Sequence, residues 1–118
     1  MDGNVYRKST DFSVRIVKLC KHLNGKKETV ISKQLLRSGT SIGANLSEAK
    51  YAESTADFIH KLSLSMKECS ETEYWLEVLS RTGYLNEQEY ESIRADCSEI
   101  AKLLTSIIKT TKEKTNNR

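Results

Sequence analysis

The sequence predicts an all-α fold, an antiparallel up-down-up-down four-helix bundle, on three observations. The 118 residues contain no proline and only five glycines. Apolar residues recur at three- and four-residue spacing in four successive stretches, with no strand alternation and no internal repeat. The stop and start signals between these stretches lie a few residues apart, which favours antiparallel neighbours. The length suits a single domain over 1–118, with an ordered core at about 10–110 and a basic C-terminal tail.

Helix one is expected to start near Thr10 or Asp11 as N-cap and to stop at Asn24-Gly25. Phe12, Ile16, Leu19, Cys20 and Leu23 form its apolar stripe. Helix two is expected from Lys27–Thr29 to about Ala52, with a bend or break where Gly39 and Gly43 weaken it. Helix three opens at Ser54, and Asp57 three residues on completes a capping box. Phe58, Leu62, Met66, Cys69 and Leu76 make one apolar face. Leu64, Glu68, Glu71, Trp75 and Val78 make a second stripe, so this helix is expected to be covered on two sides, and Thr82-Gly83 ends it. Helix four is capped by Asn86 with Glu89 in the box position, and Tyr90, Ile93, Cys97, Ile100, Leu104 and Ile107 keep 3-4 spacing. Glu87, Glu89 and Glu91 suit its start. Lys109, Lys112 and Lys114 are expected just past its end, with the last eight residues as a frayed tail.

Composition narrows the function classes. No apolar run approaches the ~20 residues needed to cross a bilayer. The N-terminus lacks the apolar segment of a secretory signal, so a cytoplasmic location is expected and no membrane role. Cys20, Cys69 and Cys97 are odd in number and widely spaced, on apolar faces of different helices. Reduced core cysteines are the expectation, a disulfide or a reactive thiol the alternatives. A di-metal bundle site wants paired Glu-x-x-His motifs, and only Asp57-x-x-His60 comes close, once. No nucleophile elbow or phosphate-binding glycine loop is present. No enzyme activity, cofactor or metal is therefore expected.

Charge is uneven. The net value is only +3. Residues 1–59 hold ten Lys/Arg against six Asp/Glu, whereas residues 60–118 hold nine against ten. Between Asp11 and Glu28 lie Arg15, Lys18, Lys21, Lys26 and Lys27 with no acid among them. A solvated face is one reading of this ridge. The other is sequence-independent contact with RNA or DNA phosphates, to which Arg37 is added as a further candidate. Aromatic residues for base stacking are absent from the ridge.

The second candidate is a polar seam. At 100° per residue Ser38, Ser41, Asn45 and Glu48 span an arc of about 80°, beside the apolar arc of Ile31, Leu35, Ile42, Leu46 and Ala49. Polar groups beside a buried face demand partners. Glu68 and Glu71 on helix three are expected to approach Ser41, Asn45 and Glu48 in a buried network, with Lys67 or Arg37 neutralising charge. A small-molecule pocket around Asn45 and Glu48 is the alternative.

The segments R-S-G-T-S-I-G-A-N-L-S-E-A, then A-D-F-I-H-K-L-S-L-S-M-K-E-C-S-E-T-E-Y-W-L-E-V-L, and finally G-Y-L resemble a known bacterial family. It comprises four-helix bundle proteins typified by those encoded in intervening sequences of 23S rRNA genes, related to accessory proteins of diversity-generating retroelements. The resemblance runs from Phe12 to Ile108 and is strongest in S-I-x-A-N-x-x-E and E-x-x-E-T-x-Y-W-L. Gly43 stands where many members have proline, and Ala49 where many have glycine. Ser41, Asn45, Glu48 and Glu71 match motif positions of the family. The resemblance implies a homopentameric ring with a basic surface, a nucleic-acid role and no catalytic residues. Such a ring would account for a two-sided helix three and for Leu36 and Tyr51 lying off the core arc. It would also multiply a weak subunit charge to +15. The expectation is a non-enzymatic homo-oligomeric accessory protein holding RNA or DNA, with a protein-interaction scaffold as the alternative.

Overall fold

A computed structural model describes residues 3–116. The four helices are α1 (Gly3–Gly25), α2 (Val30–Ala49), α3 (Thr55–Arg81) and α4 (Glu87–Asn116). They form a rod of 54 × 23 × 20 Å. Cross-helix contacts fix the antiparallel order. Cys20 and Ser32 exchange hydrogen bonds between α1 and α2, and Thr72 bonds Ser38 between α2 and α3. Cys97 reaches Cys69 between α3 and α4, and Lys8 meets Glu99 between α1 and α4. The α1–α4 seam is the sparsest of the four.

The apolar stripes meet as expected in one core. Ile16, Leu23, Leu35, Ile42, Leu46, Leu62, Leu76, Leu79, Ile100 and Leu104 are fully buried. Small polar residues share it: Ser9, Ser32, Ser38, Ser65 and Thr72 are buried too. On α3 the buried positions 62, 65, 69, 72, 76 and 79 keep a regular 3-4 spacing. Each hydroxyl is satisfied. Thr72 donates to Ser38 at 3.0 Å, Ser65 to the Ile42 carbonyl at 2.8 Å and Ser32 to the Cys20 carbonyl at 3.3 Å. No buried side-chain nitrogen or oxygen is unpaired among the described residues.

Three expectations are corrected. First, α1 begins at Gly3 rather than at Thr10 or Asp11. Val5 and Ser9 continue the buried spacing of Phe12 and Ile16, and the Thr10 hydroxyl bonds the Tyr6 carbonyl of the preceding turn instead of capping. Second, α2 passes Gly39 and Gly43 without interruption and stops at Ala49. These glycines serve close approach. A Cβ on Gly39 would lie 2.8 Å from Ile16 Cγ1, and one on Gly43 would lie 3.3 Å from Ser13 Oγ. Third, Lys109, Lys112 and Lys114 lie within α4, which extends to Asn116. Thr111 and Thr115 bond carbonyls one turn back within this segment. Asn117 and Arg118 of the expected tail lie outside the described residues. The stop of α1 at Gly25 is as expected, and the left-handed residue lies two positions on, at Lys27 with φ 65°. That conformation costs a lysine about 1–2 kcal/mol.

The caps of α3 and α4 agree with the sequence. Asp57 N–H donates to Ser54 Oγ at 3.0 Å, while the Asp57 carboxylate accepts from Glu53 N–H. Asn86 and Glu89 bond each other's backbone N–H reciprocally at 2.8 and 2.9 Å. For α2 the cap is Glu28, whose two carboxylate oxygens accept from Ile31 and Ser32 N–H at 3.0 and 2.7 Å. All three cysteines are free and buried. The neighbouring Cys69 and then burial push the Cys97 thiol far up, and burial raises Cys20. Raised thiol values leave little thiolate for nucleophilic chemistry.

Candidate nucleic-acid interface

The six basic residues singled out in the sequence divide into two groups. Arg15 and Arg37 are spent on neighbours. Arg15 Nη1 donates to Asp96 Oδ2 at 2.7 Å, and its Nη2 donates to Ser92 Oγ at 2.8 Å, both on α4. Arg37 pairs across the α2–α3 seam with Glu71 and, at 3.4 Å, with Glu68. Lys18, Lys21, Lys26 and Lys27 are exposed and enter no ion pair among the described residues. They occupy the last two turns of α1 and the turn that follows, a span of about 10 Å of helix plus the turn. Lys33, at the start of α2, is likewise exposed and was missed in the sequence; it lies just beyond the acid-free run.

Several local features aim this charge outward. The buried spacing of Ile16, Cys20 and Leu23 leaves positions 18, 21 and 22 on the solvent side of α1. The one acid that closes the run, Glu28, is turned inward onto the N-terminus of α2. Its carboxylate oxygens are therefore held by backbone N–H groups and form no ion pair with the lysines beside it among the described residues. Other unpaired lysines, such as Lys112 and Lys114 on α4, have Glu113 between them.

The seam of Ser41, Asn45 and Glu48 differs from its expected form within the chain. Ser41 and Asn45 are half-buried and Glu48 is exposed. Ser41 donates to the Arg37 carbonyl at 2.6 Å, and Asn45 Nδ2 donates to the Ser41 carbonyl at 2.9 Å. Both bonds stay on α2, because a short side chain reaches the carbonyl four residues back more readily than a neighbouring helix. Among the described residues the Glu48 carboxylate pairs with Lys61, at 3.9 Å. Glu68 and Glu71 are half-buried and join Arg37 rather than the seam, and Trp75 Nε1–H donates to Glu71 at 3.3 Å. Hydrogen bonding from Arg37 holds the Glu71 carboxyl below the ordinary glutamate range. The buried polar contacts between α2 and α3 are instead those of Ser38, Ser65 and Thr72. The regular 3-4 spacing of Ser65 and Thr72 was the available signal for them.

Among the described residues no three His, Cys, Asp or Glu side chains converge as a metal cluster. No described helix is long and apolar enough to cross a membrane. The pattern of the 23S rRNA-intervening sequence proteins matches residues 1–106. The chain belongs to the 23S rRNA-intervening sequence protein family. A solved structure from Bacteroides thetaiotaomicron, described as a protein of unknown function from the S23 ribosomal protein family, is similar to this family member throughout. The identity is 61%, over 89% of this chain and 98% of that one, with a TM-score of 0.87. No match was found among curated proteins.

Proposed function

We propose that this 23S rRNA-intervening sequence protein is a non-enzymatic, homo-oligomeric accessory protein of the cytoplasm that holds RNA or DNA by its phosphates. Lys18, Lys21, Lys26 and Lys27 make the contacts, while Arg15 and Arg37 hold helices together. One observation carries the reading: these four lysines are adjacent along α1 and its turn, exposed, and in no ion pair among the described residues. A patch of this kind binds through counterion release and ignores base sequence. Self-association supplies avidity that four lysines lack alone. Exposed Val14, Leu36 and Tyr74 on the single chain support association.

Filter binding across a salt series tests the proposal. Affinity should fall steeply as salt rises, with a log–log slope of about −0.9 per phosphate neutralised on duplex. Lys18→Glu, Lys21→Glu and Lys26→Glu should weaken binding alike on unrelated sequences while helical content stays unchanged. A flat salt response, or no binding at low salt, overturns it. The same exposed apolar residues favour a second reading, a protein-interaction scaffold. A partner that survives nuclease treatment in a pull-down from native cytoplasm supports that reading instead.

A further inference from the structure

Two helices of this chain end in the same backbone motif but place different residues at its left-handed position. After α3, Gly83 N–H bonds the Ser80 carbonyl at 3.2 Å and Tyr84 N–H bonds the Leu79 carbonyl at 2.9 Å. Gly83 has φ 85°. After α1, Lys27 N–H bonds the Asn24 carbonyl and Glu28 N–H bonds the Leu23 carbonyl, both at 2.9 Å. Lys27 has φ 65°. Both are Schellman-type endings, in which the left-handed residue is usually glycine. The chain does carry a glycine here, Gly25, but two residues too early to serve.

A lysine is thus kept where the backbone favours glycine, and strain retained at one position is a pointer to function. The surroundings say what the function is. Lys26 and Lys27 are exposed, and Glu28 has both oxygens occupied by Ile31 and Ser32 N–H. From Ser13 to Lys50 the chain has no Phe, Tyr or Trp, so α1 beyond Phe12, the turn and α2 offer a single small ring, the imidazole of His22, and no succession of rings on which unpaired bases can stack. Charge without stacking suits the phosphates of a duplex.

We propose that the α1–α2 turn, led by Lys27, is the point of contact with the sugar-phosphate backbone of double-stranded nucleic acid. This rests on the reading that the lysine ridge binds nucleic acid, and adds the leading residue and the form of nucleic acid. Lys27 is held out by the Schellman turn, with Lys26 beside it and Lys21 and Lys18 on the helix behind.

The test combines thermal denaturation with fluorescence anisotropy on a labelled RNA duplex and a single strand of equal length. Lys27→Gly should raise the Tm. It should also lower duplex affinity about five- to ten-fold at ~0.1 M salt and reduce the salt slope by about 1. Gly83→Ala probes the matching turn without touching the ridge; it should lower the Tm and leave affinity unchanged. Wild-type affinity in Lys27→Gly overturns the inference and leaves the phosphate-binding reading standing. So does an unraised Tm, a preference for the single strand, or an equal loss in Gly83→Ala. Wild-type protein that binds neither nucleic acid at low salt overturns both.

Discussion

Gly39 and Gly43 lie one turn apart on the same side of α2, yet α1 presses on them unequally. A methyl group at Gly39 would collide with both Cγ atoms of Ile16, at 2.8 and 2.9 Å, and that buried side chain is branched next to its backbone. At Gly43 the nearest atoms are Ser13 Oγ at 3.3 Å and the Ser9 carbonyl at 3.4 Å, contacts that a shift of a few tenths of an ångström would relieve. Alanine gains about 1 kcal/mol of helix propensity over glycine, whereas overpacking costs about 1–3 kcal/mol. Gly39→Ala should therefore destabilise the bundle, by up to about 2 kcal/mol in urea unfolding. Gly43→Ala should be neutral or slightly stabilising. Read from sequence alone these glycines indicate a bend, because propensity is local information and the pressure from Ile16 is not. The polar core residues were obscured similarly. Ser65 and Thr72 share the buried spacing of α3, but their polarity masks it until the α2 carbonyl and hydroxyl that receive their hydrogen bonds are in place.

Helix boundaries were legible where their signals are short-range. Ser54 with Asp57, and Asn86 with Glu89, each satisfy backbone N–H groups within three residues, and both caps form where the sequence places them. The start of α1 was not legible, because Thr10 and Asp11 look like a cap while Val5 and Ser9 are held by packing. Cross-helix ties were legible in part, since Arg37 was an expected partner of Glu68 and Glu71 whereas the pairing of Arg15 with Asp96 and Ser92 was not. Asp96 and Ser92 remove Arg15 from the basic ridge, and Glu71 with Glu68 removes Arg37. The Arg37–Glu71 tie between α2 and α3 has a pH signature. Its carboxyl is depressed chiefly by the Arg37 hydrogen bond. The stabilisation is thus present above the unfolded glutamate value of about 4.3 and disappears as pH falls through the lower folded value. Glu71→Gln should lower the neutral-pH Tm slightly, since the pair is part-exposed and weak, and should converge with the wild type below about pH 4.

Across the whole molecule, the buried core reaches both poles of the rod but stops short of the last turns of α4. Ile93, Cys97, Ile100 and Leu104 of α4 are buried, whereas 112–116 are exposed. Segments with few buried contacts open first. Hydrogen-exchange mass spectrometry should find the amides of 109–116 exchanging well before those of 93–104. Equal protection along α4 would mean that these last turns are covered in solution, as association of chains would produce. The antiparallel order has a practical outcome. Gly3 and Asn116 emerge at one pole of a 54 Å rod, and the turn bearing Lys26 and Lys27 forms the other. A fluorophore or affinity handle fused to either extremity would stand clear of the lysines, so tethered formats should report the same binding as untagged protein.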